Sequence, residues 1–177
     1  GKVRYIGVSN YSVAQMERVA KIHPIASLQP PYSMLRRDAE RELLGYCAKH
    51  GIGVVVYSPM QRGLLTGKFN AERLAALAPD DHRRRAPEFQ EPQFSATMEL
   101  VDGLKRIAER NGRTVAQLAV RWVLRRPEVT AAIVGARRPG QIAETAPASD
   151  WNLGKEDLEE IERLLTRRDK RLAGNAV

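Results

Sequence analysis

Arg4-Tyr5-Ile6-Gly7-Val8-Ser9-Asn10-Tyr11 is the stretch on which the reading of this chain turns. Val3 to Val8 reads as a short β-strand, and Ser12 then opens a helix with Gln15 three positions on, the spacing of a capping box. Val13, Met16, Val19 and Ala20 fall on one face of that helix, which should stop before Pro24. A strand running directly into a capped amphipathic helix is the grammar of an α/β protein.

Working outward, the same alternation repeats. Ile25 to Gln29 is a second short strand, halted by Pro30 and Pro31, and Asp38 can cap a helix carrying Leu43, Leu44 and Cys47, with Gly51 suited to its end. Ile52 to Tyr57 is nearly continuously apolar, the pattern of a parallel strand buried on both faces, and Ser58 and Pro59 end it. Residues 61–96 lose clear periodicity, apart from a short helix suggested at Ala71 to Leu77, and form a long loop too extended for a plain connector. Thr97 to Asn111 resumes a helical pattern. Thr114 with Gln117 makes a second capping box before a helix bearing Leu118, Trp122 and Val123, closed by Arg125, Arg126 and Pro127. Thr130 to Val134 is the last strand. Gly135 to Pro139 leads into a short helix whose N-terminus suits an anion, Asp157 to Leu165 gives one more amphipathic helix, and residues 168–177 read as a basic tail.

Four βα units amount to half of a (β/α)8 barrel, whose full form takes about 250 residues. A doubly wound open sheet satisfies the same alternation, but its Gly-x-Gly-x-x-Gly fingerprint is absent after the first strand. Spacing alone leaves the two architectures open.

Four segments in order resolve the choice. Arg4 to Tyr11 resembles the aldo-keto reductase segment in which a strand ends in Gly-hydrophobic-Ser-Asn-aromatic. Leu28-Gln29-Pro30-Pro31-Tyr32-Ser33 is similar to that family's strand ending in Gln before a Tyr-Ser turn. Gly51 to Met60, continuing through Arg62-Gly63-Leu64-Leu65-Thr66-Gly67-Lys68, is the most specific of the four, and Ile133 to Thr145 is the last. Together they look like barrel strands five to eight. The resemblance therefore implies an α/β fold, a partial (β/α)8 TIM barrel made of its C-terminal half, with residues 1–177 as one domain.

That resemblance also assigns roles. It implies a pyridine nucleotide across the C-terminal ends of the strands, NADP(H) in preference to NAD(H). Ser9, Asn10 and Gln29 match the residues that fix the nicotinamide carboxamide, and Tyr57 matches the aromatic residue that stacks on its ring. Ser58, Pro59, Met60, Arg62, Gly63, Leu65, Gly67 and Lys68 match the pyrophosphate-side turn. Gly135, Ala136, Arg137, Gln141, Glu144 and Thr145 match positions that approach the adenosine phosphate, its ribose and adenine, with Arg137 deciding between the two nucleotides. Gly135, Gln141 and Thr145 stand where many members carry Lys, Arg and Asn, although other branches show Gly-x-Arg-x-Pro-x-Gln here.

The implied activity is reduction of aldehydes and ketones to alcohols, with a small carbonyl compound as substrate. The family's catalytic Asp, Tyr, Lys and His belong to the barrel's first half, which the resemblance places ahead of Gly1, so no catalytic residue is assigned. Tyr5, Tyr11, Tyr32, Tyr46, His23, His50 and His82 sit in no catalytic motif. The alternative is a noncatalytic nucleotide-binding or interaction module, and either form should self-associate or pair with a complementary N-terminal half to cover its sheet edges.

Composition narrows the classes further. The net charge of +8 raises nucleic acid as a partner, but the Arg pairs are scattered and no aromatic residues interleave with them, which argues against it. No apolar run approaches the roughly 20 residues that span a bilayer and no signal peptide opens the chain, so the expected location is cytoplasmic. The single cysteine, Cys47, reads as a half-buried structural thiol, and no metal-ligand pattern surrounds it.

Overall fold

A computed structural model of the chain describes residues 1–174. Four strands, β1 (Gly7–Ser9), β2 (Ser27–Gln29), β3 (Gly53–Tyr57) and β4 (Val129–Ile133), form one sheet in the order β1-β2-β3-β4 with every pairing parallel. The helices are α1 (Val13–Ala20), α2 (Leu43–Lys49), α3 (Ala71–Ala75), α4 (Gln93–Arg110), α5 (Val115–Leu124), α6 (Gln141–Thr145) and α7 (Lys155–Gly174). The fold is α/β with a parallel sheet, as the alternation of patterns implies.

Several elements differ in extent from their sequence patterns. β1 is shorter than its apolar run, and Val3 and Tyr5, ahead of its paired residues, are largely exposed. In β3 only Val54 and Val56 are fully buried, while Gly53, Val55 and Tyr57 on the opposite face are half-buried. The continuous apolar run thus serves one covered face, not two. Asp38 does not cap α2; it begins a single 3-10 turn, Asp38–Glu40, and α2 starts at Leu43 with no side-chain cap.

The core lies between the covered sheet face and the helices. Leu28, Val54 and Val56 meet Met16 of α1, Leu44 and Cys47 of α2, Leu118 and Trp122 of α5 and Ile161 of α7, all without solvent exposure. Each such large side chain contributes about 1.5–3 kcal/mol relative to exposure. Both capping boxes form: Ser12 and Gln15 bond reciprocally at the start of α1, Thr114 and Gln117 at the start of α5. Helices α4 and α7 approach closely at Gly103, where a Cβ would come within 2.6 Å of Leu164 Cδ2.

Basic residues extend α7 beyond its amphipathic repeat. Arg168 Nε donates to Thr97 Oγ1 at 3.1 Å and Arg171 Nη2 to Ser95 Oγ at 3.2 Å, both on α4. Charges that read as a solvated tail are therefore anchors along a helix reaching Gly174, and the rest of that segment, 175–177, lies outside the described residues.

Residues 61–96 hold short elements around a small core of their own. Leu64, Phe69, Ala86, Phe89 and Phe94 cluster together, with Phe69 and Phe89 edge to face at 5.3 Å between ring centroids. Asn70 caps α3 by accepting the Arg73 N–H at 2.8 Å. Arg83 is buried against Phe69 and pairs with Asp81 at 2.6 Å. The α4 helix starts inside this segment, at Gln93, because Phe94 belongs to the same cluster.

Three outcomes follow from this architecture. Cys47 is completely buried and its thiol is pushed up to about 11 by that burial, so a disulfide reagent at pH 8 should leave the native chain unlabelled and label it only as urea unfolds it. Gly67 has φ +72° and a Cβ there would lie 2.9 Å from Val115 Cγ2, so Gly67→Ala should cost about 1–3 kcal/mol in a urea melt. Gly135, with nothing within 4 Å of a built Cβ, should tolerate alanine within about 0.5 kcal/mol.

Candidate functional site

Parallel pairing gathers the carboxyl ends of the strands at one edge of the sheet. In register, Ser9 lies beside Gln29 and Tyr57 beside Ile133, with a further bridge between Pro31 and Tyr57. Asn10 follows β1 in the left-handed region at φ 59°, a conformation that asparagine tolerates better than most residues. That turn is held by Gln29, whose carbonyl accepts the Ser9 hydroxyl at 2.9 Å and the Asn10 N–H at 3.2 Å. The Tyr57 hydroxyl donates to Asn10 Oδ1 at 3.0 Å. Ser9, Asn10, Gln29 and Tyr57 are thus brought together, the first three exposed and Tyr57 half-buried.

The turn after β3 is left-handed at Ser58, Gln61 and Arg62, with φ of 57°, 44° and 53°. Such strain in non-glycine residues costs of order 1–3 kcal/mol each and gathers at functional sites. Several of its amides are engaged within the turn: Gln61 N–H with the Ser58 carbonyl, Gly63 and Leu65 N–H with Met60, and Lys68 N–H with Thr66 Oγ1. Pro59 and Leu65 are buried. Arg62 pairs with Glu88 at 3.3 Å, while Lys68 lies 3.6 Å from Glu144 of α6.

Beyond β4, Gly135, Ala136 and Arg137 are exposed. Gln141 Oε1 accepts the Arg137 N–H at 2.9 Å and so fixes this loop, while the Arg137 guanidinium pairs with no carboxylate among the described residues. The α6 helix has five residues, too few for a sustained dipole, so the positive charge here rests on Arg137 and not on a helix end. Thr145 is buried, its hydroxyl donating to the Gln141 carbonyl at 3.1 Å and the Ile142 carbonyl at 3.2 Å, and is therefore a helix-stabilising residue.

Glu144 joins the two loops. Both its oxygens accept from Arg138 Nη2, at 2.6 and 2.7 Å, and it lies 3.6 Å from Lys68 Nζ. The hydrogen bond from Arg138, with the Arg138 and Lys68 charges, holds its carboxyl below the usual range. Arg138 and Gln117, whose Nε2 donates to the Glu144 carbonyl at 2.8 Å, had no signal in the sequence beyond a basic pair and a cap. The three histidines are exposed and lie away from these loops, with His50 stacked on Tyr46, and no metal-binding group of His, Cys, Asp or Glu exists among the described residues.

A partly buried polar hub is built around Glu40. Glu40 accepts from the Tyr32 hydroxyl at 2.5 Å, from Arg37 Nε and Nη2 at 3.0 and 2.8 Å, and from Arg125 Nη2 at 3.2 Å. Burial alone would raise the Glu40 carboxyl; the donated hydrogen bonds and the charges of Arg37 and Arg125 outweigh it and lower the pKa. Arg125 stacks 3.6 Å from the Trp122 ring centre. Residue type alone gave no sign of this hub, because its members lie up to 93 residues apart.

The strand-end geometry has close relatives. The profile of the Aldo/keto reductase family matches residues 1–166. Aldo-keto reductase YhdN of Bacillus subtilis is 39% identical over 93% of this chain and 50% of its own length. The Schizosaccharomyces pombe aldo-keto reductase yakc [NADP(+)] is 32% identical over 91% of this chain and 48% of its own. A glycerol dehydrogenase from Gluconobacter oxydans superposes with a TM-score of 0.88 at 38% identity, over 95% of this chain and 50% of that one. The chain spans about half the length of the curated relatives it matches. By profile, sequence and fold alike, it belongs to the aldo-keto reductase family.

Proposed function

We propose that this chain provides the NADP(H)-binding side of a reductase that converts aldehydes or ketones to alcohols, its four βα units forming the C-terminal half of a (β/α)8 barrel. The observation that carries the reading is the convergence of Ser9, Asn10, Gln29 and Tyr57 at the carboxyl edge of a parallel sheet, where barrel enzymes place their sites. The residues fit such a nucleotide. Amide and hydroxyl groups face one end, a half-buried aromatic ring stands beside them, and an unpaired guanidinium with open backbone at Gly135 waits at the other.

The nucleotide supplies the hydride. Ser9, Asn10 and Gln29 would hold its carboxamide through hydrogen bonds, and the half-buried Tyr57 ring would supply the surface on which its nicotinamide stacks. The turn from Ser58 to Lys68 would hold the pyrophosphate, with Lys68 as its cation. Arg137 favours an additional phosphate on the adenosine ribose, which supports NADP(H) over NAD(H). The relative named for NADP(+) supports the same choice. The exposed edges of β1 and β4 support pairing with a complementary barrel half or self-association. No helix among the described residues is long and apolar enough to cross a membrane, which fits the cytoplasm as location.

Fluorescence titration tests the reading. NADPH should bind saturably, and Arg137→Ala should weaken it by about tenfold, the size of one charge-assisted hydrogen bond. A folded chain that binds neither NADPH nor NADH would overturn the assignment. Saturable binding with no turnover of any carbonyl compound, even beside a complementary barrel half, would favour the noncatalytic module.

A further inference from the structure

We propose that Glu40 is a positioning residue for the nicotinamide end of the site, acting on the Tyr57 ring through Tyr32 without touching the cofactor. The inference rests on the cofactor reading above and adds to it the means by which the ring is held.

The path is short and continuous. The backbone of Tyr57 is pinned on both sides by the segment after β2: its N–H donates to the Pro30 carbonyl at 3.0 Å, and its carbonyl accepts the Tyr32 N–H at 3.2 Å. Side chains alternate in extended backbone, so Tyr32 and Tyr57, though joined main chain to main chain, occupy opposite faces. Tyr57 points to the half-covered face and bonds Asn10, whereas Tyr32 is fully buried in the core against Trp122, 5.4 Å between ring centres. The Tyr57 ring therefore sits where residues 30–32 put it.

What fixes that segment is charge-assisted. The Tyr32 hydroxyl donates to Glu40 at 2.5 Å and accepts from Arg125 Nη1 at 3.0 Å. Glu40 is in turn gripped by Arg37, which extends to Glu162 on α7 at 2.7 Å, and by Arg125, which also donates to the Trp122 carbonyl at 2.7 Å on α5. The phenol is thus tied to two helices. A second link runs parallel: Ser33, fully buried, donates from Oγ to Gln61 Oε1 at 3.1 Å and so reaches the turn that follows Tyr57. Removing the phenol's bonds would free the segment to shift while leaving the apolar packing of Tyr32 in place, and small displacements of an aromatic platform are costly to a stacked ring.

The test separates the two ends of the nucleotide. Tyr32→Phe and Glu40→Gln are titrated with NADPH and, separately, with adenosine 2′,5′-bisphosphate, which lacks the nicotinamide. The expected result is at least a fivefold weaker NADPH Kd in both variants with bisphosphate affinity kept within twofold of the parent. A merely structural hub would lower the melting temperature and leave both affinities of the folded protein unchanged, which would overturn the inference. Equal weakening of both ligands would also overturn it, since the effect would not be confined to the ring. Should Glu40→Gln fail to fold, Tyr32→Phe, which keeps the ring, decides alone. If the parent chain binds the bisphosphate but not NADPH, this inference falls together with the cofactor reading; if the parent binds NADPH and the variants match it, only this inference falls.

Discussion

Parallel strand pairing is the constraint from which the rest of the molecule follows. A parallel strand cannot return by a tight turn, so each of the four strands must be followed by a crossover, and every crossover must leave from the same edge of the sheet. The result is that chemically unrelated stretches, separated by tens of residues, all open onto one rim. Ser9, Gln29 and Tyr57 come to one edge for this reason, and Gly135 follows the last strand at the same edge. The helices that make the crossovers cover one sheet face and supply the core, leaving the other face lined by small or polar groups such as Gly7, Ser27 and Gln29 beside Val55 and Tyr57.

Division of labour between the faces explains where polar chemistry is concentrated. The covered side is mainly apolar, and at the Glu40 hub two guanidiniums, a carboxylate and a phenol satisfy one another. Buried ionic groups of this kind contribute little net stability, because desolvation offsets their attraction, but losing one partner strands the others. Their bonds join the segment after β2 to α5 and α7.

Much of this was legible in the sequence where the governing interaction is local. Both capping boxes were readable because each involves residues three apart, and the strand-end motifs were readable because turn chemistry is written in consecutive residues. What escaped depended on distant partners. Asp38 has the residue type of a cap, but its neighbour Glu40 is drawn into ion pairs that set a 3-10 turn there instead. Residues 61–96 lack periodicity because their order comes from a cluster of Phe69, Phe89 and Phe94, which no helical or strand period describes. The basic stretch after Leu165 looked like solvated tail, since nothing in it announces Thr97 and Ser95 as acceptors on α4. Among the site residues, Leu65 and Thr145 were named by position in a motif, and the structure turns both side chains inward.

The Glu144 bridge deserves a different reading from the hub. The hub is partly buried, whereas Glu144, Arg138 and Lys68 are about half or more exposed, so their mutual hold is of the kind that dissolved ions weaken over distances of about 8 Å at physiological strength. Two loops that belong to different βα units are connected here by one solvated carboxylate. That link is one that salt weakens, and it adds to a hold the loops already have from Gly67 against Val115 and from Gln117 on the Glu144 carbonyl.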